Sequence, residues 1–267
     1  MENILKTIID KKKERVKILK KKYVENEILK DIRNFNNFVD FKNSIKKRNL
    51  NKKTSIIAEI KKASPSAGEI VKNFDPLNIA KIYIENGASM LSVLTEEEFF
   101  LGKLDYIKNI KQNYKIPILC KDFFIDTYQI ALAKFFGADC ALIILSAVDK
   151  SLAYDLYQAA NDLNVSTIIE VHSKSEAELA LSFEKAIIGI NNRNLKTLDV
   201  SLNTSVELSK ILLAHKNPLI CESGIHSTDD MKFVLKKAKI YNFLIGESLL
   251  KSKNIGSKLR EFTQINV

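Results

Sequence analysis

The chain of 267 residues has no tryptophan, and glycine, proline and cysteine are scarce at 8, 4 and 3 residues. So little glycine and proline excludes collagen-like and low-complexity chains. Cys120, Cys140 and Cys221 each lie inside an apolar run, and no CxxC spacing exists to hold zinc or run redox chemistry. Buried, reduced thiols are expected. His172, His215 and His226 show no metal-ligand spacing, so no metal site is expected either. Long apolar runs are missing too: nothing approaches the ~20 residues needed to span a bilayer. The N-terminus lacks the apolar core and small-residue cleavage site of a secretory signal. No membrane partner and a cytoplasmic location are the resulting expectations.

Arginine is also sparse, confined to Arg15, Arg33, Arg48, Arg193 and Arg260 among 42 basic residues. The formal charge of +10 is therefore a dispersed lysine excess, the pattern of a solvated surface rather than a nucleic-acid groove. The densest cluster is KKKERVKILKKK, Lys11 to Lys22. Leu5, Ile9, Val16, Leu19 and Tyr23 run through it at spacings of three, four or seven, which predicts one apolar stripe on a helix with a wet basic face. An RNA-binding arm, in a basic RNA-binding or scaffold protein, is the alternative reading of the same segment. What the chain does have is 46% hydrophobic and 28% charged residues, enough for a sizeable folded core.

From Thr54 onward, short β-branched runs alternate with longer amphipathic segments. The short runs are TSIIAEI, SMLSVLT, IPILCKDF, CALIILS, STIIEV, KAIIGI, PLICES and YNFLIG. Between them, Asp75-Pro76 reads as an N-cap with proline at the first helical position, and Ser227-Thr228-Asp229-Asp230 as a capping box. Gly87 and Gly137 follow IAKIYIEN and IALAKFF, where a helix-terminating glycine belongs. Eight strand-then-helix units result, and most strands are apolar on both faces, as in a buried parallel sheet. The pattern predicts an α/β fold, a (β/α)8 TIM barrel, with no GxGxxG or GxxxxGK(S/T) to support an open doubly wound sheet. A single domain is expected, with a helical extension over residues 1–53 and the barrel over 54–267.

In such a barrel the chemistry sits at the C-terminal ends of the strands. Polar residues gather there: Glu59 and Lys61 after the first strand, Lys121-Asp122 after the third, Glu170 and His172 after the fifth. Asn191-Asn192-Arg193, Glu222-Ser223-Gly224 and Gly246-Glu247-Ser248 end the sixth to eighth. Any one of these is an ordinary strand end in water. Together they describe a cup of opposite charges, which are costly near a barrel mouth unless they satisfy one another. Gly224 and Gly246 let a phosphate approach the main chain. A phosphorylated-substrate enzyme using lysine and glutamate as acid and base follows.

The blocks AEIKKASPSAGEI, GASMLSVLTEEEFFLG, KDFFIDTYQI, IIEVHSKSEAELAL, IGINNRNLKTLDVSLNTS, ESGI and FLIGESLL, in this order from Ala58 to Leu250, resemble the indole-3-glycerol phosphate synthase family. The resemblance implies decarboxylating ring closure of 1-(2-carboxyphenylamino)-1-deoxyribulose 5-phosphate in tryptophan biosynthesis, without metal or organic cofactor. It implies Lys121 as general acid and Glu170 as general base, with Lys61 gripping the departing carboxylate and Glu59 holding the lysines' charge. Asn191 and Ser223 would orient substrate and catalytic groups. Ser64, Gly224, Gly246 and Glu247 would cradle the phosphate, Arg193 would sit near the anthranilate carboxylate, and Phe100, Phe123 and Leu195 would wall the aromatic ring. Lys62 and Cys120 depart from arginines usual in the family. A small phosphorylated anion is the expected partner, to a monomer that binds no nucleic acid. Phosphoribosylanthranilate isomerase, another phosphate-binding barrel, is the enzyme alternative, but a cysteine is missing at the end of the first strand.

Overall fold

Each of the apolar runs from Thr54 onward forms a strand in the computed structural model of the chain, which describes residues 4–33, 38–195 and 197–265. The barrel strands are β1 (Ser55–Ile60), β2 (Met90–Leu94), β3 (Ile118–Lys121), β4 (Cys140–Ile144), β5 (Ser166–Val171), β6 (Ile187–Asn191), β7 (Leu219–Glu222) and β8 (Asn242–Ile245). They pair in parallel in sequence order and close through β1 against β8, with Ile57 opposite Met90 on one side and Leu244 on the other. Helices alternate with the strands outside. They include α4 (Pro76–Glu85) after β1, α5 (Leu104–Asn113) after β2, α6 (Tyr128–Phe135) after β3, α7 (Lys150–Asp162) after β4, α8 (Lys174–Ala180) after β5, α9 (Asn203–Ile211) after β6 and α10 (Thr228–Ala238) after β7. The expected caps are present: the Asp75 side chain accepts from the Leu77 and Asn78 amides, and Ser227 with Asp230 forms a capping box.

Side chains alternate across each strand, so every strand feeds two cores. Ile56, Ala58 and Ile60 of β1 pack with the helices, and so does Cys120 of β3. Ile57, Leu119, Ile168, Ile187, Ile220 and Leu244 fill the barrel interior. Continuing the inward register by two residues leads from Ile57 to Glu59, from Leu119 to Lys121, from Ile168 to Glu170 and from Ile220 to Glu222. The apolar filling is therefore the floor of a polar upper layer.

The segment before the barrel folds as α1 (Ile4–Lys22), α2 (Glu25–Ile32) and α3 (Phe41–Leu50), and its residues 1–3 and 34–37 lie outside the described residues. It covers both ends of the barrel. Phe41 and Ile45 of α3, both fully buried, join the interior core, while Ile4, Leu5 and Ile8 of α1 reach the cavity at the C-terminal mouth. Between them, Ile28 and Ile32 of α2 pack with Tyr128, Leu132 and Phe136 along α6. The Tyr128 hydroxyl lies 2.9 Å from the carbonyl of Leu19 and 2.8 Å from that of Tyr23, and so ties the C-terminal end of α1 to α6.

Two expectations are corrected here. The buried stripe of α1 runs through Ile8, Lys12, Val16 and Leu19, and so includes a lysine. The basic face is not simply wet. The Lys12 ammonium, 4% exposed, lies 2.6 Å from the Asp122 carboxylate, Arg15 lies 2.6 Å from Glu97 and Lys20 lies 2.6 Å from Asp126. The helix is docked by charge as well as by apolar contact, and each acidic partner sits in a loop at the barrel mouth. A short antiparallel hairpin, Ala63–Ser64 with Gly68–Glu69, follows β1 and has no counterpart in the sequence-based expectation. Gly68 turns it at φ +63°, the left-handed region that glycine enters without strain.

Candidate active site

All residues singled out from the sequence as catalytic or substrate-binding line one cavity at the C-terminal mouth of the barrel. At its floor the Lys121 ammonium donates to Glu222 Oε2 at 2.6 Å and to Glu170 Oε2 at 3.0 Å. Burial alone opposes that charge, but Glu170, Glu222 and Glu59 outweigh it and hold Lys121 above the ordinary lysine range. Lys61, one residue past β1, donates to Glu59 Oε1 at 2.5 Å. The strand period thus points both members of the Glu59–Lys61 pair into the cup.

Asn191 ties the far wall together. Its amide donates to Glu170 Oε1 at 3.2 Å, and its carbonyl oxygen accepts from the Ser223 hydroxyl at 2.9 Å and the Arg193 amide at 3.0 Å. Ser223 sits at φ +64°, where a residue with a Cβ is strained. It is held there by its bond to Asn191 and by Asn192, which donates to the carbonyls of Glu222 and Ser223 at 3.0 Å each. Gly224 follows at φ +85°, in a loop crowded against Val200 and Leu202.

Two carboxylates flank Lys121, and they are not equivalent. Burial, reinforced by Glu170 and opposed by Lys121, pushes the Glu222 carboxyl up to about 7, and among the described residues its Oε1 has no hydrogen-bond partner. Burial works against a charged Glu170 as well, but Lys121 and His172 outweigh it and hold this carboxyl well below the usual range. Glu222 carries no role in the sequence-based expectation, although its place at the end of β7, two residues after inward-facing Ile220, was a usable signal. The wall formed by Ile4, Leu5 and Ile8 was not legible, because an apolar stripe does not say what it packs against.

Opposite the charged floor, the Phe100 and Phe123 rings lie 6.2 Å apart at 43°, and Leu195 packs with Phe123 on the interior core. Together they give the cavity an apolar side next to its polar one. On the remaining side lie Ser64, Gly246 and Glu247. The Ser64 hydroxyl accepts from the Ala67 amide at 3.2 Å, which shapes the hairpin loop. Glu247 is paired with Arg193 at 3.6 Å and with Lys251 at 2.6 Å. Among the described residues, no group of three or more His, Cys, Asp or Glu side chains is arranged to hold a metal ion.

A lysine between two glutamates above an apolar floor, with an aromatic slot alongside, matches a reaction that moves protons on an aromatic anion. Comparison with known proteins fixes the family. The sequence profile of indole-3-glycerol phosphate synthase matches residues 5–262. The indole-3-glycerol phosphate synthase of Alkaliphilus metalliredigens is 42% identical over 258 residues, covering 97% of each chain. The chain belongs to the indole-3-glycerol phosphate synthase family. The Legionella pneumophila (strain Lens) synthase is 44% identical over 211 residues, covering 79% of this chain and 81% of its own. Among solved structures, the tryptophan synthase α subunit of the same species (strain Paris) overlays with a TM-score of 0.61 at 13% identity, covering 83% of this chain and 96% of that one. A 3-hexulose-6-phosphate synthase overlays at 0.60 and 14% identity, covering 78% and 98%. These two likenesses show the barrel fold. Membership of the indole-3-glycerol phosphate synthase family also displaces the isomerase alternative.

Proposed function

We propose that the residues of this cup divide among themselves the reaction of the family, conversion of 1-(2-carboxyphenylamino)-1-deoxyribulose 5-phosphate to indole-3-glycerol phosphate, carbon dioxide and water. As a family member the chain is a decarboxylating carbon–carbon lyase of tryptophan biosynthesis. Lys121 gives a proton to the ketone oxygen, which lets the ring carbon bearing the carboxylate attack the carbonyl carbon. The carboxylate then leaves as carbon dioxide, with Lys61 neutralising it until the bond breaks and Glu59 holding Lys61 in place. In the last step Lys61 gives a proton to the new hydroxyl, which leaves as water, while Glu170 takes a proton from the carbon beside the ring nitrogen. Asn191 and Ser223 fix the direction of Glu170. The aromatic ring lies in the slot of Phe100, Phe123 and Leu195, with Arg193 near its carboxylate. Ser64, Gly224, Gly246 and the Glu247 amide hold the phosphate.

The observation that carries this reading is the Lys121 ammonium held by two buried carboxylates at the floor of the cup. An ammonium kept charged in a low-dielectric site is a proton donor with a fixed direction, and no cofactor is needed for any step. A second reading concerns the base. Glu222, pushed up to about 7 and with one oxygen unpartnered, is the better-poised proton carrier near neutral pH, and would share the role of Glu170. Incubation with the carboxyphenylamino-deoxyribulose phosphate, followed by indole fluorescence, tests the whole scheme; Lys121→Ala abolishes turnover while its far-UV circular dichroism stays that of the folded barrel if Lys121 is the acid. Glu170→Gln and Glu222→Gln, assayed side by side, decide the base: the variant that loses kcat at unchanged KM names it.

We carry the same reading to a cytoplasmic, monomeric enzyme that acts on a small phosphorylated anion and binds neither nucleic acid nor membrane. Lys12, Arg15 and Lys20, three of the basic residues in the Lys11–Lys22 cluster, are engaged by carboxylates of the barrel mouth. Among the described residues no helix is long and apolar enough to cross a membrane.

A further inference from the structure

The reaction has a proton deficit. Two protons go to oxygen, one at the ketone and one on the departing hydroxyl, and one comes back from the carbon beside the nitrogen. A substrate that enters as a carboxylate and leaves as carbon dioxide therefore draws one proton from solvent in every turnover. That proton must reach the acids of the cup, Lys121 among them, beside the apolar wall of Ile4, Leu5 and Ile8 of α1.

A second cavity lies behind the wall formed by Asn191, Arg193 and Leu195, and His172 and Glu176 open onto it. His172 stands between the two cavities. Its Nε2 is buried 3.2 Å from Glu170 Oε1 without an aligned hydrogen bond, and its Nδ1 lies 3.4 Å from Glu176 Oε2. Glu176, on α8, is fixed by accepting the His172 backbone amide at 2.8 Å. Glu170 reaches onward to Lys121 at 3.0 Å through its other oxygen. The charged groups facing the imidazole are Glu170 near the end of β5 and Glu176 of the following helix. Arg193 and Asp199 line the cavity beyond.

We propose that Glu176, His172 and Glu170 form a proton line that resupplies Lys121 from the second cavity. This rests on Lys121 being the acid. Each transfer balances: the His172 imidazolium releases its Nε2 proton to Glu170, and a half-turn of the Glu170 carboxyl presents that proton to the neutral Lys121 amine, which becomes ammonium again. A flip of the imidazole ring then turns its bare nitrogen toward Glu176, which passes on a proton taken from solvent in the second cavity. His172 is imidazolium again at the end of the cycle, and no electrons change hands. Burial opposes a charged imidazole, but Glu170 and Glu176 outweigh it and push His172 up to about 9, so a proton is on the line at neutral pH. His172 acts through Glu170 and touches no reacting atom.

The test uses the full-length enzyme with His172→Gln. Steady-state kcat falls about tenfold at unchanged KM, while the first turnover stays within about twofold of wild type. Imidazole added to the assay restores kcat, since a small acid entering the second cavity takes over the transfer. Glu176→Gln, which still accepts the His172 amide, shows the same loss from the solvent side. An unchanged kcat in both variants overturns the line, as does a first turnover slowed as much as the steady state, or a loss that imidazole does not relieve. The acid assignment fails separately, by residual turnover in Lys121→Ala.

Discussion

Replacing Lys12 by methionine keeps the apolar stem of the side chain and removes its charge from a buried pair. Asp122 is then left 9% exposed, with the Thr95 hydroxyl at 2.7 Å and the Phe123 amide at 2.7 Å but no cation. Removing one partner of a buried pair costs about 3–5 kcal/mol, because the remaining charge is stranded. For a chain of this size each kcal/mol lowers the melting temperature by roughly 2–4 °C, so a drop of about 10 °C is expected by circular dichroism. Asp122→Asn added to the same variant should recover at least half of it. The Asn oxygen can still accept from the Phe123 amide while its NH2 donates to Thr95, whose own proton can turn to Cys120 Sγ at 3.3 Å. Because α1 contributes Ile4, Leu5 and Ile8 to the cup, Lys12→Met should also raise KM more than it lowers kcat. A single variant melting within about 2 °C of wild type, or a double variant no more stable than the single, would refute the idea that this pair docks the helix.

Gly246→Ala builds a Cβ into the Glu59 carboxylate, so it should cost about 1–3 kcal/mol of stability and displace Glu59 from Lys61; unchanged kcat/KM would show that the pair is dispensable. Leu101 sits at φ +53°, 38% exposed, where a leucine is strained, and Leu101→Asn should stabilise the fold by about 1 kcal/mol in urea melts. His172 is raised from 6.5 to about 9, so its contribution to stability is fully present below about pH 6.5 and is lost as pH rises through about 9. Melting curves should therefore fall between about pH 7 and 9, with His172 contributing at most about 3 kcal/mol, and in His172→Gln the fall over that window should be smaller.

The barrel was legible because its signal is local and repeated. A strand buried on both faces is an apolar run of fixed length, and the runs of TSIIAEI, CALIILS and STIIEV need no distant information to be recognised. The inward set was legible for the same reason, since Glu59 and Lys61 share a face by the period of the strand alone. The stripe of α1 was displaced because a lysine counts as surface in any pattern of hydrophobicity. What buries Lys12 is Asp122, on a loop far along the chain, and only the closed barrel brings the two together. The hairpin of Ala63–Ser64 with Gly68–Glu69 is too short to have a periodicity. Glu222 could be located from its register, but its pairing with Lys121 depends on which strands face each other across the barrel.

That facing follows from how a barrel interior is layered, with alternate strands contributing the side chains of one layer. Glu59, Lys121, Glu170 and Glu222 come from β1, β3, β5 and β7. The strands between them yield room: a Cβ on Gly189 of β6 would collide with Glu222 Oε1, and one on Gly246 after β8 would collide with Glu59 Oε1. One layer thus gathers three carboxylates and one ammonium, a poor receptor for a substrate that carries a carboxylate and a phosphate. Lys61 and a protonated His172 offset two of the negative charges, and the proton that Glu222 holds up to about pH 7 removes a third. With all three in place the negative charge of the layer is offset, and its repulsion of the substrate anion is relieved. Deprotonation of Glu222 strengthens the grip on Lys121 and restores that repulsion at the same time. Affinity should therefore decline above neutral pH while Lys121 stays charged, a loss seen in KM before kcat and absent from Glu222→Gln.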